Sequence, residues 1–366
     1  MLQLYNVKYR FTILNGRCDK HKKLMRAIIK ARAGRGLELA ERVRPEPGPR
    51  DALIRMNAVG ICGTDVHIYD WDAWSAGRIK PPVIVGHEFV GVVEAVGRDV
   101  AHIEAGTRIS GEGHITCGHC RFCRTGRGHI CRDVKIIGID RDGCFAEYMA
   151  MPADNLWPVP DEISDRHAAV FDPLGNAMHS VNATEVSGRS VLVIGAGAVG
   201  LFAVAVARAS GASRVLVSEP NATKRQIALK VGADIVFDPF NDGIDGPILE
   251  ATDGLGPEVV FEMSGATAGL TSAFRLVQNG GDVVLLGLPA EHVAVNWSED
   301  IIFKGITIHA VSGRRMFDTW YRSQQFLLGG RVDIDPILTH DIAMEDFEKG
   351  FQALLAGEAV KVTMRV

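Results

Sequence analysis

The run GAGAVG, Gly195 to Gly200, constrains this chain more than any other feature. It follows the short apolar segment Ser190–Ile194 and opens Val199–Ser210, a stretch almost without charge that reads as a helix. A lone G-x-G-x-x-G carries little information, but strand, glycine turn and helix in that order form the phosphate-binding end of a βαβ unit. Gly195 permits the tight turn, Gly197 lets backbone amides approach a pyrophosphate, and Gly200 allows close helix–sheet packing. The helix N-terminus, with Val199 in its first turn, adds positive potential for phosphates. Glu219 ends the next predicted strand, Arg214–Glu219, 19 residues beyond Gly200. A carboxylate there accepts hydrogen bonds from both ribose hydroxyls and repels a 2′-phosphate, which favours NAD over NADP. Lys224 and Arg225 follow closely and are basic enough to tolerate a phosphate.

Strands and helices keep alternating downstream. Ala222–Val231 reads as a helix, Val259–Glu262, Asp282–Leu286 and Ile306–Val311 as strands, with helix-like Thr271–Val277 between them. That rhythm predicts an α/β fold, a doubly wound parallel sheet over residues 176–313. Leu286 and Gly287, at the end of one strand, are expected to complete the cofactor face. From Met25 to Ala150 the chain is instead rich in β-branched residues and glycine. Strand candidates there are Arg26–Ala31, Leu53–Val59, Val83–Val96 and Thr107–Ser110, with no sustained helical periodicity. This predicts a second, mostly-β domain over residues 25–175, to which residues 314–366 return. Those last residues offer a helix at Phe317–Leu328, another near Met344–Leu355, and a closing strand at Val360–Val366.

Four of the seven cysteines stand at Cys117, Cys120, Cys123 and Cys131. The C-x2-C-x2-C-x7-C spacing suits a closed tetrahedral zinc shell, a structural site forming a lobe at about residues 112–132. Cys18, Cys62 and Cys144 are the remaining three, so the thiols speak for metal chemistry in a reducing compartment, the cytoplasm. The formal net charge of −4, with both signs scattered, argues against a nucleic-acid partner, and no apolar run approaches a membrane span. Hydrophobic residues make up 47% of the 366, enough for two or three domain cores. Residues 1–24 carry six Lys or Arg against one acid and contain no serine. They are expected to be a leader upstream of the original start, or a disordered arm.

Cys62 lies in GICGTDVHIYDWDAWS and His87–Glu88 in VGHEFVGVV. Thiolate, imidazole and carboxylate are all zinc ligands, but no periodicity joins Cys62 to His87. On composition alone Cys62 reads more often as a buried apolar thiol and His87 as a satisfied core histidine.

At this point the residues carry a resemblance. GHEFVGVVEAVG, the four-cysteine lobe and GAGAVG, in that order, resemble the zinc-dependent medium-chain dehydrogenases over about Met25 to Val366. The family pairs a GroES-like catalytic domain with a Rossmann domain. The resemblance implies two zinc ions per subunit, one catalytic and one structural, together with NAD. It places Cys62 and His87 on the catalytic zinc ligands and Glu88 on the adjacent carboxylate. Asp172, in FDPLGN, falls on the third or exchangeable ligand. Thr64 and His67 fall on the hydroxyl and imidazole of a proton relay.

CGTDVHIYDWDAWS, GEGHITCGHC, FDPLGNAMH and SGRRMFDTWY are similar to members that oxidise L-threonine at C3. A polyol or vicinal-diol substrate is the rival on the same scaffold, and a non-catalytic NAD-binding relative is a third reading. His114, Trp74 and Arg314 are candidates for the substrate pocket, with Trp71 beside Trp74 at the cleft entrance. Arg314 is expected to meet either a substrate carboxylate or the cofactor. The family also implies a homotetramer, and the strand around Ile306–Val311 is a possible exposed edge.

Overall fold

The computed structural model describes residues 23–366, so the basic leader falls outside it except for Lys23 and Leu24. Leu24 opens the first strand, Leu24–Lys30, two residues ahead of the sequence-based start.

Six parallel strands form one sheet in the order Ile235–Phe237, Arg214–Ser218, Ser190–Ile194, Val259–Glu262, Asp282–Leu285, Thr307–Ala310. Val191–Val193, Val215–Val217 and Val259–Phe261 are wholly buried. Such continuous apolar runs mark strands covered on both faces, as a doubly wound sheet requires. One face packs against the Phe171–Val181 and Ala198–Ala209 helices. The other packs beneath Thr267–Leu276 and Asp245–Glu250. The strand order reverses between Ser190–Ile194 and Val259–Glu262, and the crevice outside their carboxyl ends is where such sheets bind ligands.

The second large sheet runs Leu156–Pro158, Arg108–Gly111, Glu88–Val96, Asp51–Ile61, Val362–Arg365, His340–Ala343, and Tyr148–Pro152 also pairs with Asp51–Ile61. Its core centres on Ile54, Val59, Phe89, Phe145, Phe351 and Met364. The last strand of the chain therefore lies inside the sheet, antiparallel to Asp51–Ile61 and parallel to His340–Ala343.

Three departures from the sequence-based expectation bear on function. Val83–Val96 is two strands, Val83–Ile84 and Glu88–Val96, broken at Gly86. Gly86 has φ +89°, and a Cβ there would lie 2.1 Å from the Phe145 ring, so only glycine makes this turn. The supposedly non-helical region contains the helices Gly63–Asp70 and Ala73–Arg78. The buried residues of the first, Asp65, Ile68 and Tyr69, keep helical spacing, but one is an acid and hides the apolar stripe. The Phe171–Val181 helix is masked in sequence by Pro173 and Gly175. Proline in a first turn removes an N–H that has no intrahelical acceptor.

Candidate dinucleotide and metal sites

GAGAVG lies at the switch point. Gly195 has φ +92°, and a Cβ on Gly200 would stand 2.0 Å from the Gly195 carbonyl oxygen, so turn and helix touch backbone to backbone. Nothing lies within 4 Å of a Cβ built on Gly197, which leaves that face of the loop open to a ligand. Val199 sits in the first turn of the Ala198–Ala209 helix. Leu286 and Gly287 close the neighbouring edge, where both backbone N–H groups donate to the Glu262 carbonyl at 3.1 Å.

Glu219 is buried, and its two oxygens accept from the backbone N–H of Ala196 at 2.7 Å and of Asn221 at 2.9 Å. The carboxylate is thus fixed on the glycine loop it faces. Arg225 is engaged by the carbonyls of Glu219 and Pro220 and by Asp238 at 3.0 Å. It is not a free cation for a 2′-phosphate, and Lys224 is half-buried. Glu262, fully buried and unsignalled by the sequence, accepts from Ser264 and Gly265 on the next loop.

The second sheet brings Cys62, His87 and Glu88 together, with one potential ligand atom from each within 4.8 Å of the others. Cys62 stands at the N-terminus of the Gly63–Asp70 helix, where its N–H donates to Asp65 Oδ2 at 2.9 Å. The Gly86 turn delivers His87, and the pairing of Gly60 with Glu88 brings the carboxylate opposite. Asp65, fully buried, has Oδ1 3.7 Å from His87 Nδ1, and neither atom has a hydrogen-bond partner. Burial opposes charge on His87, yet Asp65 and Cys62 push its pKa up to about 10. The pocket therefore favours a cation among its acids, and thiol, imidazole and carboxylate form a zinc donor set, so the residues fit the metal.

Glu88 is turned toward the buried Lys361, with N–O distances of 2.5 and 2.7 Å, and Lys361 also donates to the Ile61 carbonyl at 2.8 Å. Asp172 lies outside the 4.8 Å cluster, paired instead with Arg314 at 2.5 Å.

Arg314 is 1% exposed and salt-bridged to Glu112 as well as Asp172, so in this conformation it is not open to a substrate carboxylate. His114 belongs to the same cluster, its Nδ1 2.8 Å from Glu112 and 3.3 Å from Arg314 Nη2. Burial opposes the charge of Glu112, but Arg314 and His114 hold its pKa down to about 2. Trp320 donates its indole N–H to the same carboxylate at 3.1 Å.

Thr64 and His67 sit three apart on the Gly63–Asp70 helix, one half-buried and the other exposed. Trp74 is 43% exposed, edge-on to the His67 ring at 6.3 Å. Trp71 instead faces inward, its ring 4.7 Å from the buried Lys30 ammonium.

The second cluster is Cys117, Cys120, Cys123 and Cys131. Their sulfurs stand 3.5 to 4.0 Å apart. A zinc tetrahedron with ~2.3 Å bonds has edges of about 3.8 Å, so the four thiols are already spaced for the ion. Backbone N–H groups of Cys117, Cys120 and Asp133 point at these sulfurs from 3.4 to 3.5 Å, as thiolate ligands require.

Of the groups missed in sequence, only Asp65 left a trace, in the C-x-x-D spacing of a capping box. Glu112 and Lys361 meet their partners across 202 and 273 residues and left none.

Comparison with known proteins gives the same picture. Residues 48–161 match the alcohol dehydrogenase GroES-like domain, and residues 198–328 match the zinc-binding dehydrogenase family. L-threonine 3-dehydrogenase of Idiomarina loihiensis is 44% identical over 93% of this chain and 99% of its own. The Pyrococcus horikoshii protein of the same name is 45% identical over 92% and 97%. Among solved structures, a Sinorhizobium meliloti protein bound to NADP superposes with a TM-score of 0.85 at 33% identity, covering 94% of this chain and all of that one. The 2R,3R-butanediol dehydrogenase of Bacillus subtilis does so at 0.85 and 26%, covering 93% and 99%. The chain belongs to the zinc-containing medium-chain dehydrogenases.

Proposed function

We propose that the protein oxidises L-threonine at C3 with NAD, giving L-2-amino-3-ketobutyrate and NADH. The observation that carries this is the near-full-length match, at 42 to 45% identity, to proteins named L-threonine 3-dehydrogenase. NAD over NADP rests on Glu219, held on the glycine loop where a 2′-phosphate would be repelled, and on Arg225 being already engaged.

Cys62 and His87 would hold the catalytic zinc, with Glu88 and Asp172 as the carboxylates that complete or shadow it. Bound there, the metal supplies Lewis-acid polarisation of a hydroxyl, and NAD supplies the hydride acceptor. The protein's own part is to orient and deprotonate. The buried Asp65 carboxylate faces the His87 ring from 3.7 Å, the side on which carboxylates stand behind metal-ligating histidines. Lys361 and Arg314 neutralise Glu88 and Asp172, which limits the negative charge facing the substrate. Thr64 passes the hydroxyl proton toward His67, whose exposed imidazole returns it to water. The four-cysteine lobe has no open ligand position and serves structure.

Assembly is expected to use the edge strand Thr307–Ala310, flanked by exposed Trp297, Ile302 and Phe303, in a homotetramer. No helix among the described residues is long and apolar enough to cross a membrane. The six free cysteines among those residues suit a reducing cytoplasm.

The test is NADH formation with L-threonine against sorbitol and 2,3-butanediol. Threonine should be turned over, and Cys62→Ser should abolish turnover while NAD still binds. Preferential use of a diol or polyol would replace the threonine reading.

A further inference from the structure

Beyond the zinc ligands and the relay, one contact is left without a role. Asp72, at the N-terminus of the Ala73–Arg78 helix, places Oδ2 2.6 Å from Nδ1 of His67. Its other oxygen, Oδ1, accepts from the Ser75 N–H and the Ser75 hydroxyl, each at 2.9 Å. Ser75 is wholly buried, and its hydroxyl is also 2.7 Å from the carbonyl of His67. One oxygen is thus spent on fixing the carboxylate and the other on the ring.

An ionised carboxylate has only acceptors, so Nδ1 must carry the hydrogen and Nε2 is left as the basic nitrogen. Asp72 stays ionised: burial works against its charge, but the Ser75 N–H and hydroxyl hold its carboxyl below the usual range. The other charged groups around the two helices are directed elsewhere. Asp70 pairs with Arg35, Asp65 faces His87, Arg78 pairs with Asp140, and Glu348 engages the Tyr69 hydroxyl. Trp74 closes one side of the ring without charge.

We infer that Asp72 is a positioning residue for proton release, fixing the His67 tautomer with Nε2 free to take the proton arriving from Thr64. The inference rests on His67 being the relay base. It assigns the Asp72–Ser75 turn a part in the reaction beyond capping a short helix. The bonds balance simply: Nε2 takes the proton, Nδ1–H stays hydrogen-bonded to Asp72, and water then removes the proton from Nε2.

Asp72→Asn isolates this role. Asparagine is as good an N-cap as aspartate, so the Ser75 contacts and the fold survive. The amide cannot stabilise an imidazolium as a carboxylate does, and it admits the opposite tautomer. The pH profile of kcat with L-threonine is measured for the parent, Asp72→Asn, His67→Gln and the double variant. Melting temperature, zinc content and NAD affinity are measured alongside.

The expected result is a roughly tenfold fall in plateau kcat for Asp72→Asn, with the ionisation displaced to lower pH. Melting temperature, zinc content and NAD affinity should stay at parent values, and the double variant should be no slower than His67→Gln alone. If His67→Gln lowers kcat while Asp72→Asn leaves rate and profile unchanged, the relay stands and the inference falls. A full Asp72→Asn effect persisting in the His67→Gln background overturns it too. If His67→Gln itself leaves kcat and profile at the parent's, the relay reading fails and takes the inference with it.

Discussion

Replacing Arg314 with methionine keeps an unbranched stem in the same space and deletes a cation that two buried carboxylates share. Arg314 and Glu112 are 1% and 0% exposed, so water cannot substitute for the lost guanidinium. The Glu112 carboxyl is held at about 2 against an ordinary 4.5. That gap corresponds to ~3 kcal/mol of folding free energy at neutral pH. Removing one partner of a buried ion pair costs about 3–5 kcal/mol by an independent route, so the two magnitudes agree. The folded pKa is the depressed one. The stabilisation is therefore complete above pH 4.5 and lost as pH falls toward 2.

In Arg314→Met, burial acts on Glu112 with its main counter-charge gone, so the carboxyl takes up a proton in mild acid. The deficit against the parent should be about 3–5 kcal/mol at pH 7 and should shrink toward pH 5. Urea unfolding followed by tryptophan fluorescence suits the measurement, since Trp320 donates to the same carboxylate. A deficit below about 1 kcal/mol at pH 7, no larger than a surface pair supplies, would refute the reasoning. So would a deficit that stays constant between pH 7 and 5.

On the proposed two-zinc reading, Cys120→Ser should release one zinc ion per chain and lower melting temperature or assembly before it lowers activity, which zinc analysis and gel filtration would record. Unchanged zinc content would remove the structural role. Glu219→Ala should raise KM for NAD at least tenfold and narrow its kcat/KM advantage over NADP, through loss of the ribose acceptor. A native enzyme that prefers NADP would contradict that assignment. On the proposed tetramer, Phe303→Asp should lower the sedimenting mass, because it sets a charge in the exposed apolar patch beside the edge strand, and an unchanged mass would remove that contact from the proposal.

Local rules made most of the parallel sheet legible. Ser190–Ile194 and Val259–Glu262 match their sequence-based bounds because fully buried parallel strands are short, apolar and flanked by turns. The glycine loop and the four-cysteine lobe were legible for the same reason: spacing along the chain fixes their geometry. The cluster of Cys62, His87 and Glu88 was legible only in part. Cys62 and His87 could be named from resemblance, but their supporting groups come from distant strands whose pairing no local pattern encodes. Arg314 shows the limit most clearly. A surface-seeking residue by composition, it is drawn into the interior by Glu112 and Asp172, which lie 202 and 142 positions away. The helix carrying Thr64 and His67 was hidden because Asp65 occupies an inward-facing position where a pattern search expects an apolar residue.

The interior position of Val362–Arg365 in its sheet has a consequence for how the protein is made. This strand is made after the others of its sheet, yet it lies inside the sheet, not at its rim. All six strands of the parallel sheet emerge earlier, whereas Asp51–Ile61, already paired with Glu88–Val96 and Tyr148–Pro152, gains Val362–Arg365 only afterwards. Lys361 arrives in the same stretch and brings the counter-charge for Glu88. A chain stopping before Lys361 would carry Cys62, His87 and Glu88 without a finished frame to hold them. The proposed metal-binding set is thereby framed only once synthesis has passed Arg365.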